Sequence, residues 1–167
     1  MLQSRPPIRF LLTCLCYWAL AVVAVGVWPG IEEAAIEITL ATLHVAFGAA
    51  GIEIVRAGDT LIAGGAGVRI VADCSPHMPW LLFGGAVLAF PAPLRLRLIG
   101  LAAGIVAIHL FNVVRIAGLI GVLIHRPRWF EFAHAYLWQT GTVFMIVLCF
   151  LLWLRWAGAV RVRTAAA

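Results

Sequence analysis

Residues 98–124 read LIGLAAGIVAIHLFNVVRIAGLIGVLI, an apolar run with one formally charged side chain, Arg115. A hydrocarbon core about 30 Å thick needs roughly 20 apolar residues to cross it as a helix, so the run predicts a membrane-spanning helix. A cation inside such a helix costs about 2.5–3.5 kcal/mol on insertion scales, and Arg115 should therefore face other helices and have a partner or a task. Asn112, three residues earlier on nearly the same face, could orient it. Glu53 or Glu131 could instead form an ion pair with it.

The composition of the whole chain is typical of a membrane protein. Of its 167 residues, 64% are hydrophobic and 11% are charged, and the mean hydropathy is +1.06, whereas soluble domains are about 45–50% apolar. Further apolar runs at 10–28, 78–92 and 136–156 predict three more spanning helices. No small-x-small cleavage site follows the first run, which favours an uncleaved helix over a signal peptide. We expect a single membrane domain over 1–167.

Two segments differ from the spanning runs. Residues 31–51 carry three glutamates and His44 among apolar positions, as in an amphipathic helix at the interface or a helix packed within a bundle. Residues 52–73 contain β-branched stretches separated by Gly-Asp and by Gly-Gly-Ala-Gly, a pattern that predicts two or three short strands. Because open strands cannot sit in lipid, they should cap one end of the bundle. The predicted fold class is an all-α polytopic membrane bundle of four or five transmembrane helices with a short extracytoplasmic β-rich cap.

The arginines test the topology of this bundle. The net charge of +5 comes from arginine without lysine, and the arginines lie at the ends of apolar runs rather than in one patch, which argues against a nucleic-acid partner. If the four apolar runs cross and 31–51 does not, seven arginines fall on one side, which is cytoplasmic by the positive-inside rule. They are Arg5, Arg9, Arg95, Arg97, Arg155, Arg161 and Arg163. A crossing by 31–51 would oppose the first two to the other five, so we favour four crossings, with 52–73, Cys74 and the 125–135 loop outside.

Cys74 is the cysteine with polar neighbours, in the sequence Ala-Asp-Cys-Ser-Pro-His at 72–77. Ser75 is a natural N-cap and Pro76 a natural first residue for the following helix. A thiol at a helix N-terminus is favoured as a thiolate, although Asp73 opposes this effect. The alternative is a small buried residue at a turn. The other cysteines lie in apolar runs and are interpreted as small hydrophobes without a disulfide framework: Cys14, Cys16 and Cys149.

His134 lies at the start of the last predicted helix and falls on the same outer side as Cys74. Histidine is the residue type best suited to proton transfer at neutral pH. Counted from Leu98 at about 1.5 Å per residue, Arg115 reaches the outer half of the bilayer, at the level of Cys74. Packing at the interface is the alternative for His134. It is also the favoured interpretation of the other histidines: His44, His77, His109 and His125.

The chain thus presents Cys74-Ser75, then Asn112-Val113-Val114-Arg115 inside an apolar helix, then His134 before a final helix. This order resembles the exosortase and archaeosortase family, over roughly 47–156 and including the glycine-rich strand region. The chain has fewer spans than many members of the family, and a proline follows Ser75 where the family commonly has glycine.

The resemblance implies a multi-pass transpeptidase of a prokaryotic cytoplasmic membrane with its active site on the extracytoplasmic side. Its substrates would be membrane-anchored proteins with a C-terminal sorting signal, made of a short motif, a spanning helix and a basic tail. When the roles of the matching family residues are assigned to this chain, the resemblance implies that Cys74 is the nucleophile, that Arg115 stabilises the substrate carbonyl and that His134 transfers the proton. No cofactor or metal is expected.

Physical chemistry supports this assignment independently of the resemblance. A thiolate that attacks a peptide carbonyl needs a donor for the oxyanion and a proton for the leaving amine. The acyl-enzyme is then resolved by an acceptor or by water. A thiol–disulfide oxidoreductase would need paired extracytoplasmic cysteines, and a serine intramembrane protease would need a nucleophile motif and a partner base that the sequence does not offer. The remaining alternative is a non-enzymatic membrane assembly factor or transporter subunit that uses Arg115 as an intramembrane charge.

Overall fold

Five helices and a three-stranded sheet make up residues 7–165, the part of the chain that the computed structural model describes. In chain order they are α1 (Pro7–Val27), α2 (Gly30–Ala49), β1 (Ile54–Ala57), β2 (Thr60–Ala63), β3 (Ala66–Arg69), α3 (His77–Ala89), α4 (Leu94–His125) and α5 (Trp138–Ala165). A 3₁₀ turn (Ala72–Cys74) precedes α3. A second 3₁₀ turn (Pro127–Trp129), a short helical turn (Phe130–Phe132) and a π-helical turn (Ala133–Leu137) lead into α5. Arg5, used above as a topology marker, lies outside the described residues.

Three helical stretches of the described chain are long and apolar enough to cross a membrane: Ile8–Val27, Leu94–His125 and Pro127–Val160. The expected span at 78–92 is shorter than predicted, because α3 has only 13 residues. At about 1.5 Å per residue it covers about 20 Å, less than the roughly 30 Å of a hydrocarbon core. The helical bundle and its small sheet agree with the predicted fold class, but three long spans and one short apolar helix replace the expected four or five.

Helix α3 ends early because prolines follow it. Phe90 is extended, with φ −75° and ψ 134°, as the residue before a proline is pushed to be. The side chain of Arg97 then closes the open end: its Nε donates to Ala92 O at 2.7 Å and its Nη1 donates to Leu88 O at 3.1 Å. Arg97, interpreted from sequence only as a topology marker, thus supplies a donor to one carbonyl of the last turn of α3 and to one carbonyl of the connection that follows.

Glycine–aromatic contacts bring the long helices together. At three crossings an aromatic ring occupies the space where a side chain on the glycine would be, so that a Cβ there would clash with the ring. The pairs are Trp18 (α1) on Gly85 (α3), Phe83 (α3) on Gly104 (α4) and Trp153 (α5) on Gly100 (α4). The indoles of Trp18 and Trp153 also donate to Leu82 O and Leu96 O, each at 3.0 Å. Small residues let helix backbones approach closely where lipid offers no hydrophobic driving force.

The sheet packs with α2 against one end of α4. Its strands pair antiparallel in the order β1-β2-β3. The β2–β3 turn is formed by Gly64 and Gly65 with φ of 55° and 80°, the type I′ geometry that two-residue hairpins favour. Arg56 in β1 forms an ion pair of 2.5 Å with Glu37 in α2. The buried residues here form what we call the sheet cluster: Leu40, Leu43, Phe47, Leu61, Ala63, Ile70, Val113, Ile116 and Ile120.

Candidate active site

A polar cavity of about 590 Å³ lies between the start of α3, the middle of α4 and the turn that leads into α5. Its polar lining includes Asp73, Ser75, His77, Asn112, Arg115 and His134. The structure therefore brings four of the five predicted site residues to one cavity. On one side the wall becomes apolar, with Leu82 from α3 and Val143 and Ile146 from α5.

Arg115 is buried in the cavity wall, with 5% of its surface exposed. It makes one hydrogen bond, from Nη2 to Asp73 O at 3.1 Å, and its buried Nε has no partner. The ion pairs within residues 7–165 are Arg56–Glu37 and Arg69–Asp59, so neither of the glutamates considered as partners for Arg115 pairs with it. The nearest carboxylate, that of Asp73, interacts with the guanidinium only at a distance, without a salt bridge, and a buried cation in this state is costly to retain. Its guanidinium is therefore available to an anionic or carbonyl group that enters the cavity.

Asn112 does not orient Arg115, contrary to the sequence-based expectation. Its Nδ2 donates instead to Cys74 O at 2.9 Å. Because Asn112 and Arg115 are three residues apart on one face of α4, they hold two consecutive carbonyls, those of Cys74 and Asp73. Helix α4 thereby fixes the backbone of the 3₁₀ turn that carries the cysteine.

Cys74 is half-buried and free, and its side chain packs against the sheet cluster. It is not among the residues that line the cavity, although its neighbours Asp73 and Ser75 are. It still lies close enough to Arg115 for electrostatic interaction with the guanidinium. The structure thus places the thiol beside the cavity rather than in its lining.

The predicted N-cap of α3 is wrong. The helix begins at His77, its N-cap position is Pro76, and no side chain caps it by a hydrogen bond. Ser75 makes no capping bond, and its hydroxyl instead contacts a side chain: Ser75 Oγ lies 2.5 Å from His77 Nδ1. Since Cys74 ends a 3₁₀ turn three residues before α3, the helix dipole acts on the thiol less than expected, because that effect fades within the first turn.

The Ser75–His77 pair is the feature of the site that sequence reasoning missed. Both side chains are 4% exposed and both line the cavity. The signal was present as Ser-x-His directly after the cysteine, but His77 was interpreted as a packing residue and serine chemistry was set aside for lack of a partner base. A second hydroxyl–imidazole bond, Thr42 Oγ1 to His109 Nε2 at 2.9 Å, joins α2 to α4 outside the cavity.

His134 lies in the π-helical turn that leads into α5. It is half-buried, lines the cavity and stacks on Phe130 with ring centroids 5.7 Å apart and planes 2° from parallel. Single π turns inside helices occur frequently at functional sites. The imidazole has no hydrogen-bond partner in the described part of the chain, so its ring nitrogens are available to a ligand.

Within residues 7–165 no group of three or more His, Cys, Asp or Glu side chains is placed to hold a metal ion. The fold and the site together define a helical bundle with three helices able to cross a membrane and a polar cavity built around a buried arginine. No protein-family model, curated protein or solved structure matches the chain.

Proposed function

We propose that this chain is a membrane cysteine transpeptidase or peptidase of the exosortase type. It would cleave the C-terminal sorting signal of membrane-anchored proteins through a thioacyl intermediate and transfer the product to an acceptor or to water. One observation carries the proposal: a buried guanidinium that forms no salt bridge lines a partly polar cavity and bonds to the backbone of the segment that bears a free cysteine.

In the proposed reaction the scissile carbonyl enters the cavity and the Cys74 thiolate attacks its carbon. Arg115 donates to the oxyanion that develops, a type of contact whose removal costs about 10²–10³ in kcat in other acyl-transfer enzymes. His134, with free ring nitrogens at the cavity wall, gives a proton to the leaving amine. An acceptor nucleophile or water then attacks the thioacyl carbon and releases the thiol.

This chemistry requires the Cys74 side chain to turn from the sheet cluster toward the cavity. In this proposal the side chain rotates about χ1 from one staggered rotamer to another, and the backbone stays in place. Asn112 and Arg115 hold the carbonyl oxygens of the two peptide groups that flank the Cys74 Cα. Only the side chain therefore has to move when substrate binds.

We further propose that the site faces the extracytoplasmic side of a prokaryotic cytoplasmic membrane. Helix α3 covers about 20 Å, about two thirds of a hydrocarbon core, and a bilayer can thin locally around a short span. We propose that α3 makes a fourth crossing in this way. Irregular backbone at membrane depth is tolerated where protein covers it, and α3 packs against α1, α4 and α5. Four crossings put Arg95 and Arg97 in the cytoplasm and the sheet and cavity outside.

The function is tested in cells that express the chain, by quantifying membrane proteins that keep a C-terminal spanning helix and basic tail. Cys74→Ala should cause such precursors to accumulate, because no thioacyl intermediate can form. Cys16→Ala is the matched control, since Cys16 is a free cysteine exposed on α1. Unchanged processing in a folded Cys74→Ala protein would remove the nucleophile assignment and leave the non-enzymatic assembly factor or transporter subunit.

The topology is tested separately with a variant in which Cys74 is the single cysteine. A membrane-impermeant maleimide should label it in right-side-out vesicles and not in inverted ones. A second variant, with Cys149 alone, is the control for a thiol inside a spanning helix. Labelling of Cys74 only in inverted vesicles would overturn the proposed orientation.

A further inference from the structure

The cavity contains a second group able to act as a nucleophile, and this one already has a base in hydrogen-bond contact. Ser75 Oγ and His77 Nδ1 are 2.5 Å apart, just below the range of about 2.6–3.2 Å that is usual for nucleophile–base pairs. When the imidazole proton is on Nε2, the serine hydroxyl donates to Nδ1, which is the arrangement in which the ring accepts the proton.

A purely structural role accounts poorly for this pair. A serine before a helix ordinarily caps it by accepting from a backbone N–H, but α3 has no side-chain cap and the Ser75 hydroxyl is committed to the imidazole. Both side chains are 4% exposed, and both contribute to the cavity wall rather than to the sheet cluster. The Cys74 thiol, by contrast, packs against the sheet cluster.

The rest of the cavity supplies what an acyl transfer to Ser75 would need. Arg115 has a buried Nε without a partner in the same wall, and a preorganised donor of this kind stabilises an oxyanion. The apolar side of the cavity, with Leu82, Val143 and Ile146, suits an electrophile carried on an apolar chain or helix.

We propose that Ser75 is a nucleophile of this cavity, with His77 as its general base, and that it acts on ester or amide carbonyls of amphiphilic molecules. Ser75 Oγ bonds to the carbonyl carbon while its proton passes to His77 Nδ1. The bond from that carbon to the leaving alkoxide or amine breaks, and the leaving group takes the proton. Water then attacks the acyl-serine with the proton again held by His77, which restores Ser75. This inference does not depend on Cys74 being a nucleophile.

An alkyl fluorophosphonate tests the proposal on the full-length protein in detergent. The P–Oγ bond forms as P–F breaks, so mass spectrometry should find one phosphonyl group on Ser75. Labelling should disappear in Ser75→Ala, persist in Cys74→Ala, and slow by about 10²–10⁴-fold in His77→Gln, the usual contribution of a general base. Thr42→Val is the matched control, because it removes the other hydroxyl–imidazole bond of the described chain, which lies outside the cavity.

The fold of each variant is checked by its thermal unfolding midpoint and tryptophan emission before labelling. No labelling of the folded wild-type protein would overturn the proposal. Equal rates in the wild type and folded His77→Gln would do so as well, as would labelling that survives Ser75→Ala. Because the reagent reports on the serine, none of these results bears on sorting-signal processing by Cys74.

Discussion

Replacing Arg115 by leucine should make the protein more stable while it removes activity. An arginine at the bilayer centre costs about 2.5–3.5 kcal/mol to insert, and a leucine there contributes about 0.3–0.6 kcal/mol favourably. Because Arg115 lies in the outer half, the substitution gains at most about 3–4 kcal/mol. The structure shows what is lost: one hydrogen bond from Nη2 to Asp73 O, which for a charged donor is worth about 1.5–3 kcal/mol. The net change is at most about 2.5 kcal/mol in favour of the variant.

The assay is equilibrium unfolding in bicelles by titration with sodium dodecyl sulfate, followed by tryptophan fluorescence. Arg115→Lys is the control, because lysine keeps the cation but lacks the planar fork of donors. It should show no gain in stability. Processing of substrate should fall in both variants. A loss of about 3–5 kcal/mol in Arg115→Leu, the usual result of breaking a buried ion pair, would refute the reasoning and give Arg115 a structural role.

Three further substitutions on α4 have separable effects on stability. Asn112→Ala should reduce the free energy of unfolding by about 1–3 kcal/mol, because it leaves the Cys74 carbonyl without its donor. The impermeant maleimide should then react faster with Cys74. An unchanged labelling rate would argue against a fixed 3₁₀ turn. Gly104→Ala should destabilise the folded protein by about 1–3 kcal/mol, because the new methyl group would overlap Phe83. Gly121→Ala is the control: a methyl group there meets no neighbouring atom, so the protein should be unchanged or more stable by up to about 1 kcal/mol. Equal unfolding midpoints for the two glycine variants would contradict the packing described for α3 and α4.

Hydropathy was enough to locate the long helices, because twenty or so apolar residues in sequence have few alternatives to a helix in lipid. The run at 98–124 forms most of α4, and the run at 10–28 forms most of α1. The strands were also recognisable, since the Gly58-Asp59 and Gly64-Gly65 pairs that form the two hairpin turns are visible in the sequence. The contact at the end of α3 was not, because Arg97 donates to the Leu88 carbonyl from four residues beyond Pro93, and no local pattern reports such a bond.

Four residues of the cavity lining were named from the sequence, but their contacts were not. Spacing put Asn112 and Arg115 on one face of a helix, yet it could not say that both would bond to the backbone before α3 rather than to each other. The rotamer of Cys74 depends on a cluster assembled from α2, the sheet and α4, which is a tertiary property. The bond between Ser75 and His77 is local, but it replaces a cap that the sequence made equally plausible.

The rings that lie over Gly85, Gly100 and Gly104 have a consequence for how this sequence can evolve. At each crossing the aromatic ring fills the space beside the glycine Cα. A larger residue at either position therefore requires a smaller one at the other. The members of each pair are far apart in the chain, as Gly85 and Trp18 illustrate. In divergent sequences such positions should covary, glycine with a large ring or alanine with a smaller side chain. These three couplings would identify relatives whose helices cross in the same way even where pairwise identity has been lost.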